Sequence, residues 1–363
     1  MKILIFNWRD IKNPAKGGAE VFTHENAKRW VAKNHEVTML TSSFPNCKQQ
    51  EIIDGVKIIR VGKKYSVYKK TKQYYKKNQS KHNFDIIIDE INTRPFLTPK
   101  YVNNGTQIVG LIHQLAREFW FYETFFPVNY IGYHILENRW LKNYEDLPMI
   151  TVSNSTKNDL KKLGFKKIYT VSEGITFKPM DTVPEKQKEP TIIYLGRLTS
   201  AKRPEHVIKA FNIVKKQIPN LKLNILGDGP EKEKLQKTAG KDITFLNYVS
   251  ENKKIELLSK AWILIHPGVR EGWGINIIEA NACGTPSIAY DVSGLRDSIV
   301  DGKTGIIIKE EGNIEKLAEE ITQLIKNKER RKKLSNNALK WSKKFTWDKS
   351  ADEFLEILEK INQ

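Results

Sequence analysis

The chain has 363 residues, enough for two domains that each bury a core of their own. Its 39% hydrophobic and 28% charged residues are ordinary for a soluble globular protein. Its charge is not ordinary, because 61 Lys and Arg outnumber 42 Asp and Glu by 19. This excess implies an anionic partner, which could be a nucleic acid, an acidic membrane face or a phosphorylated substrate.

Cysteine content and apolar runs exclude several other classes. Cys47 and Cys283 lie in different halves, so neither a disulfide framework nor a cysteine metal site fits, and a reducing compartment is favoured. Residues 1–6 are too short for a signal-peptide core and predict a first strand. No run approaches the ~20 apolar residues of a transmembrane helix, so we expect any membrane association to be peripheral.

Residues 1–181 are predicted to form a first α/β domain. A buried-strand run at 2–7 is followed by helical spacing at 19–33 and a second strand at 37–41. Further strand-like runs lie at 56–61, 86–89, 107–112 and 149–152. Strands that alternate with helices in this way are typical of a parallel sheet.

The polar, proline-bounded stretch 182–190 is predicted to be an interdomain linker. The alternation then restarts over 191–345, a second α/β domain. Its predicted strands are 191–196, 222–227, 243–246, 261–266 and 287–290, and its last helices are 314–327 and 330–344. A final helix is predicted at 347–361. Ligands of two such doubly wound sheets are expected at the carboxyl ends of the strands, in a cleft between the domains.

Two glutamates flank a glycine-rich turn in the second half. Glu271 is followed by Gly272 and Gly274, and Glu279 lies in a short apolar helical pattern. Glycine costs about 1 kcal/mol inside a helix, so a ligand close to the backbone explains this pattern better than an exposed helix face. A helical rise of roughly 12 Å over eight residues exceeds the about 5–5.5 Å between retaining-glycosidase carboxylates. It suits an extended ligand with hydroxyls at both ends and a phosphate between them, such as a nucleotide-sugar.

Shorter motifs follow other predicted strands. Arg197 and Lys202 could stabilise the negative charge that develops on a diphosphate leaving group. Gly17 and Gly18 follow the first strand, where backbone amides can face an anion. His113 ends an apolar run and is predicted to project from a strand end. Taken alone, these motifs are better explained as solvated cations, a plain connector and a structural histidine.

Taken together, the motifs resemble those of family 4 of the retaining glycosyltransferases. The resemblance covers nearly the whole chain and is most specific in its second half. It rests on Glu271-x7-Glu279 with its glycines and Pro286, on Gly196-Arg197-x4-Lys202, on the 226–230 and 17–20 loops, and on His113. It implies an α/β fold of the GT-B type, with two doubly wound Rossmann-like domains facing a central cleft. The first domain would bind the acceptor and carry the last helix, about 346–363, and the second would bind the nucleotide-sugar.

The resemblance also implies an activity: retaining transfer of a sugar from a nucleotide-diphosphate sugar to the hydroxyl of a lipid-linked sugar or growing glycan. A UDP-sugar is favoured over a GDP-sugar. Catalytic roles would fall to Arg197, Lys202, Glu271 and His113, with Glu271 on donor-sugar hydroxyls. Donor-binding roles would fall to Gly17, Gly18, Gly227, Gly229, Gly272, Trp273, Gly274, Ile275 and Glu279, with Glu279 on the ribose. No cofactor or metal is expected, because no Asp-x-Asp clamp or suitably spaced His/Asp/Glu cluster is present.

Three positions depart from the family pattern: Asn247 where glycine is usual, Asp297 where glutamate is common, and Gln114, which bears on the choice of sugar. A nucleotide-sugar epimerase, a glycogen-type synthase or an inactive scaffold of the same fold stays open. A basic nucleic-acid-binding protein is the outside alternative, which the absence of recognised signatures disfavours.

Two segments are unusual in composition. The lysine-rich segment, residues 63–82, has eight lysines, four tyrosines and no acidic residue, and could be a solvated face, an anionic-membrane surface or a nucleic-acid site. The aromatic segment, residues 118–140, could be core, the acceptor side of the cleft or an element in the bilayer interface. A lipid pyrophosphate acceptor would explain both segments and predicts a cytoplasmic enzyme, peripheral on the inner membrane face.

Overall fold

The computed structural model describes residues 1–78, 83–103 and 105–363, and the chain divides into two compact units. The N-terminal unit consists of Met1–Gly174 and Thr346–Gln363, and the C-terminal unit of Ile175–Phe345. The last four residues of the lysine-rich segment, 79–82, lie outside the described residues.

The N-terminal unit is built on an eight-stranded sheet with the order β3-β4-β2-β1-β5-β6-β7-β8. Its strands are β1 (Lys2–Phe6), β2 (Glu36–Thr41), β3 (Gln50–Ile53), β4 (Val56–Arg60), β5 (Ile86–Glu90), β6 (Gln107–Ile112), β7 (Met149–Thr151) and β8 (Ile168–Thr170). β3 pairs antiparallel with β4, and the other neighbours pair in parallel. Ile3 to Phe6 of β1 are all buried, as expected for a strand covered on both faces.

Helices connect these strands. They are α1 (Gly18–Ala32), α2 (Val67–Asn78), α3 (Phe119–Glu123), α4 (Val128–Ile131), α5 (Glu137–Leu141) and α6 (Asn154–Lys162), and a π-helical turn, Gly132–Leu136, joins α4 to α5. The chain leaves β1 towards β2 on one side and later returns to β5 on the other. The carboxyl ends of β1 and β5 therefore meet at a switch in strand order, the usual position of a ligand site in such sheets.

The C-terminal unit repeats this plan in a six-stranded parallel sheet with the order β11-β10-β9-β12-β13-β14. Its strands are β9 (Thr191–Leu195), β10 (Lys222–Leu226), β11 (Ile243–Asn247), β12 (Ile263–His266), β13 (Ser287–Tyr290) and β14 (Gly305–Ile308). Its helices are α7 (Pro204–Lys215), α8 (Lys232–Thr238), α9 (Glu251–Lys260), α10 (Ile275–Ala282), α11 (Leu295–Ser298), α12 (Ile314–Lys326) and α13 (Lys328–Ser342). The switch in strand order lies between β9 and β12.

The last helix, α14 (Trp347–Asn362), packs in the N-terminal unit against α1. The ring of Phe354 meets that of Trp30 edge-on with centroids 4.9 Å apart, and the Trp30 indole Nε1 donates to the carbonyl of Ala351 at 3.1 Å. Gly174 abuts the start of this helix, because a Cβ there would lie 2.4 Å from the backbone nitrogen of Trp347.

Residues 182–190 pack on the C-terminal unit. The half-buried Lys186 donates its ammonium hydrogens to the carbonyls of Ser259 and Cys283 and to the hydroxyl of Thr285, at 2.9, 3.2 and 2.7 Å. Burial lowers the pKa of Lys186 to about 7. The predicted linker therefore belongs to this unit, which begins at Ile175. Across the described ranges, no helix combines the length and the apolar content needed to cross a bilayer.

Candidate functional site

In the C-terminal unit, the loops that follow β9 and β10 are bonded to each other. The amides of Gly196 and Leu198 donate to the carbonyls of Leu226 and Asp228 at 3.0 and 2.9 Å. Gly227 has φ +140°, and a Cβ there would lie 1.9 Å from the carbonyl oxygen of Gly196. A Cβ at Gly229 would lie 2.4 Å from the carbonyl oxygen of Leu198. Both predicted donor-binding glycines are thus needed to let the two loops touch.

The two predicted cations lie in the loop after β9 and differ in their surroundings. Lys202 ends a short 3-10 turn and forms an ion pair with Oε1 of Glu271, in the loop after β12. A backbone bond from the Val269 amide to the Ala201 carbonyl at 3.0 Å joins the same two loops. Arg197 is exposed, and its guanidinium has no hydrogen bond or ion pair with any residue that the structure describes. One cation is already paired with a carboxylate and the other is open to a ligand.

Glu271 contacts a lysine and a histidine through the same carboxylate oxygen. His266, the last residue of β12, approaches Oε1 of Glu271, the oxygen that Lys202 also contacts, through Nε2 at 3.1 Å. Burial acts to raise the pKa of Glu271, but Lys202 and His266 outweigh it and lower the pKa to about 2. Its side chain remains 16% exposed.

The start of α10 lies beside this carboxylate. Gly274, at φ +96°, precedes the helix, and the Asn276 side chain donates to the carbonyl of Leu195 at 2.6 Å, which holds the helix start at the end of β9. Gly272 is buried and Ile275 half-buried. The Trp273 ring is buried against Phe345 with centroids 5.2 Å apart, so its side chain belongs to the core.

Glu279 lies about one turn further along α10 and is buried. Nζ of Lys254, on α9, is 2.8 Å from Oε1 of Glu279 and 3.0 Å from Oε2 of Glu251. Burial opposes the charge of Lys254, yet Glu279 outweighs it and raises the pKa of this lysine. The two predicted glutamates therefore each contact a lysine, and the candidate site also includes His266 and Lys254, which no sequence motif indicates.

In the N-terminal unit, His113 follows β6 and lies among carboxylates. Its Nδ1 is 3.4 Å from Oε1 of Glu173, and its Nε2 is 3.9 Å from Oε1 of Glu90, at the end of β5. Among the described residues, this buried Nε2 has no hydrogen-bond partner. Burial opposes protonation of the imidazole, but Glu173 and Glu90 outweigh it and raise the pKa of His113. Burial also raises the pKa of Glu90 to about 7.

The glycine loop after β1 begins α1. Gly17 precedes the helix and Gly18 is its first residue. The Gly17 amide donates to Oε2 of Glu20 at 2.6 Å, and the Arg9 guanidinium holds Oε1 of the same carboxylate at 2.8 Å. The Glu20 carboxylate therefore accepts a backbone N–H at the start of α1. An anion bound there would compete with this carboxylate for the same donor.

The unusual segments also lie in the N-terminal unit. The described part of the lysine-rich segment includes α2, whose Val67, Thr71 and Tyr75 are buried while its lysines are exposed. Much of the aromatic segment is exposed, so core packing is wrong for most of it: Phe125 is 82% exposed. Trp120 is an exception, since it is buried close to Trp140.

Comparison with known proteins matches nearly the whole chain to two family models. The model described as Glycosyltransferase Family 4 matches residues 16–177, and the one described as Glycosyl transferases group 1 matches residues 178–341. A curated relative, the poly(glycerol-phosphate) alpha-glucosyltransferase of Bacillus subtilis (strain 168), is 36% identical over 178 residues, or 47% of this chain. The match spans only 26% of that relative's length.

Solved structures superpose on almost the whole length of this chain. Sucrose-phosphate synthase from Thermosynechococcus elongatus superposes with a TM-score of 0.80 over 99% of this chain and 98% of its own, at 18% identity. HepE of Anabaena, in complex with UDP and glucose, superposes with a TM-score of 0.75 over 99% of this chain and 100% of its own, at 16% identity. The α/β fold of two Rossmann-like domains, predicted from the sequence, is confirmed.

Proposed function

The chain belongs to the family 4 glycosyltransferases of the GT-B fold, and on that premise we propose that it moves a sugar from a nucleotide-diphosphate sugar to an acceptor hydroxyl. The contact between Lys202 and Glu271 supports this most directly. It brings a cation suited to a diphosphate against a carboxylate suited to sugar hydroxyls, at the carboxyl ends of β9 and β12.

The leaving diphosphate is assigned to Arg197 and Lys202. As the bond between the sugar C1 and the phosphate oxygen breaks, negative charge grows on that oxygen and a fixed cation stabilises it. Arg197 presents an exposed guanidinium, and Lys202 would exchange Glu271 for the phosphate. In a retaining same-face displacement, the acceptor oxygen bonds to C1 while the departing phosphate oxygen takes the acceptor proton.

Glu271 and Glu279 are assigned to opposite ends of the donor. Glu271 keeps its charge down to a pH of about 2 and would accept hydrogen bonds from sugar hydroxyls. Glu279 would accept those of the ribose, with Lys254 holding the carboxylate. We favour a UDP-sugar because the HepE structure, which shares this fold, contains UDP and glucose.

The acceptor is proposed to be a growing glycan or a lipid-linked sugar. The B. subtilis relative is named for glucosyl transfer to poly(glycerol-phosphate), an acceptor of repeating hydroxyl and phosphate groups. A net charge of +19 suits an acceptor or carrier with phosphate groups. In the N-terminal unit, Nε2 of His113 is proposed to meet a substrate hydroxyl, because it is buried without a hydrogen-bond partner among the described residues.

A thermal-shift panel of UDP, GDP, ADP and their sugars tests the donor. A ligand at 100 times its dissociation constant adds about 2.7 kcal/mol to the free energy of unfolding, which a melting curve resolves. We expect UDP and one UDP-sugar to raise the melting temperature. No shift with any nucleotide would contradict the proposal. Incubation with the donor alone distinguishes a transferase from the epimerase alternative, because an epimerase would convert the donor without an acceptor.

Replacement of Arg197 by Ala tests the chemistry. We expect turnover to fall by about 10²–10³-fold, the usual loss for one group that stabilises developing oxyanion charge. The melting temperature should not change, since the side chain is exposed. Lys303→Ala removes another exposed cation of the same unit and should leave turnover unchanged. Near-full activity of Arg197→Ala would refute the assignment.

A further inference from the structure

Exposed apolar side chains concentrate in one stretch of the N-terminal unit. Among the described residues, eight of the twelve large apolar side chains that are exposed lie between positions 121 and 135. They are Phe121, Tyr122, Phe125, Phe126, Val128, Tyr130, Ile131 and Ile135. Phe125 and Phe126 are 82% and 78% exposed. Single exposed apolar residues are normal on a soluble protein, but a cluster of this size indicates a binding surface.

This exposed stretch is anchored from beneath. A Cβ at Gly132 would lie 2.2 Å from Cε3 of Trp120, so the chain runs tightly over the buried indole. The buried carboxylate of Glu137 accepts the amides of Ala116 and Arg117 at 2.6 and 3.0 Å, which ties the far end of the stretch back to its start. The apolar side chains therefore point outward from a fixed support.

The charge pattern of the stretch is that of an interfacial element. Residues 124–136 contain no Asp, Glu, Lys or Arg. On its N-terminal side lie the exposed Glu123 and Arg117, which is paired with the buried Glu137, and on its C-terminal side lie the exposed Arg139 and Lys142. Uncharged apolar and aromatic side chains with cations near one end are typical of segments that enter the headgroup region of a bilayer, where aromatic rings lie between acyl chains and water.

A basic helix lies on the same side of the sheet. The buried stripe of α2 belongs to a core with Tyr101, and Leu141 and Tyr144, which follow the exposed stretch, belong to a neighbouring core. Leu147 packs against both cores, so α2 and the exposed stretch cover one side of the sheet. The outer surface of α2 is lysine without any acid: Lys69, Lys70, Lys72, Lys76 and Lys77 are all exposed.

We propose that this side of the N-terminal unit docks on a membrane surface rich in anionic phospholipid. The lysines of α2 would lie at the lipid phosphates, each contributing about 1 kcal/mol near the surface, and Phe125 and Phe126 would insert between headgroups. A second copy of the chain fits poorly, because it would set lysine against lysine. A nucleic acid would match the lysines but leave the uncharged stretch unused. The inference is independent of the proposed sugar transfer.

Flotation of the full chain with vesicles tests the docking. We expect binding to vesicles of phosphatidylglycerol and phosphatidylcholine in equal parts, and little binding to phosphatidylcholine alone. The double variant Phe125→Ser/Phe126→Ser should bind at least about tenfold more weakly, since burying one such side chain is worth about 1.5–3 kcal/mol and each 1.4 kcal/mol is tenfold. The control Ile52→Ser/Tyr248→Ser, whose side chains are 73% and 75% exposed elsewhere, should bind like the wild type.

A second variant separates charge from insertion. Lys69→Gln/Lys70→Gln/Lys76→Gln/Lys77→Gln should lower binding by about a hundredfold or more at low salt and weaken its salt dependence. Circular dichroism melting confirms that each variant is folded. The proposal fails if the wild type does not float with anionic vesicles, or if the two-serine variant floats equally well. It also fails if sedimentation shows that the wild type is a dimer, that Phe125→Ser/Phe126→Ser is a monomer, and that this variant still binds vesicles.

Discussion

Lys202 and Glu271, 69 residues apart in the chain, form an ion pair through Nζ and Oε1 across two loops of the C-terminal unit. His266 contacts the same oxygen from the end of β12. The carboxylate is thus held in one position before any donor is bound. Sites that fix charged groups in advance have less reorganisation to perform during the reaction.

Acid stability reports on this carboxylate. The pKa of Glu271 is about 2 in the fold against a usual 4.5, so its stabilising effect is complete above pH 4.5 and is lost as the pH falls towards 2. We expect the free energy of unfolding of the wild type to fall on the order of 3 kcal/mol more over this window than that of Glu271→Gln. Denaturant titrations at pH 5 and pH 2 measure the difference. Glu233→Gln, an exposed carboxylate in the same unit, should follow the wild type.

Glu279 and Lys254 predict a graded loss of nucleotide affinity. Glu279→Gln removes a charged acceptor, and we expect calorimetric titration with UDP to show at least about tenfold weaker binding, since hydrogen bonds to charged groups are worth about 1.5–3 kcal/mol. Lys254 acts only by positioning the carboxylate, so Lys254→Met should weaken UDP binding less and Lys254→Arg should restore it. Equal affinity for UDP in the wild type and Glu279→Gln would remove Glu279 from the site.

Gly227 is expected to tolerate no side chain. A Cβ would lie 1.9 Å from the carbonyl oxygen of Gly196, and φ of +140° is unfavourable for any other residue. Gly227→Ala should therefore lower the free energy of unfolding by about 3 kcal/mol or more, as strained and overpacked substitutions do. Gly240→Ala is the matched control, because a Cβ there meets nothing within 4 Å. Similar melting temperatures of the two variants would contradict the observed loop contact.

The pH dependence of the N-terminal unit follows from Glu90. Burial raises its pKa from 4.5 to about 7, so the folded state holds the extra proton and stability falls as the pH rises from 4.5 to 7. The raised pKa of His113 has the same sign, since that proton is lost as the pH rises further. We expect calorimetric melting at pH 5 and pH 8 to show a smaller drop for Glu90→Gln than for the wild type. The exposed Glu36 offers the control Glu36→Gln, which should behave as the wild type.

Strand and helix periodicity, together with a few motifs, could be read from the sequence. The buried runs predicted most strands to within a few residues, because parallel strands are apolar on both faces. The strands β3, β8 and β14 were not predicted. Residues 182–190 look like a linker by composition, yet Lys186 anchors them through three backbone and side-chain oxygens that lie 73 to 99 positions away.

The site was predictable where spacing along the chain carries the information. Glu271 and Glu279 are joined by one turn and one helix, so their motif is local. The partners Lys254 and His266 come from other elements, and nothing in the sequence separates Lys254 from 60 other cations. The exposure of the aromatic segment could not be predicted from the sequence either, because runs of aromatic residues more often belong to a hydrophobic core. The predicted roles of Trp273 and of the glycine loop at Gly17 stay predictions.

The position of α14 has a consequence for synthesis and for proteolysis. The peptide passes from the N-terminal unit to the other at Gly174 and returns at Thr346, beside the point where it left. Phe22 packs against Trp347 and Trp30 packs against Phe354, so these contacts form only after the ribosome has synthesised α14. The N-terminal unit is therefore translated first but completed last. A single protease cut at one of the two crossings, near Gly174 or near Thr346, would leave the two units joined by the peptide at the uncut crossing.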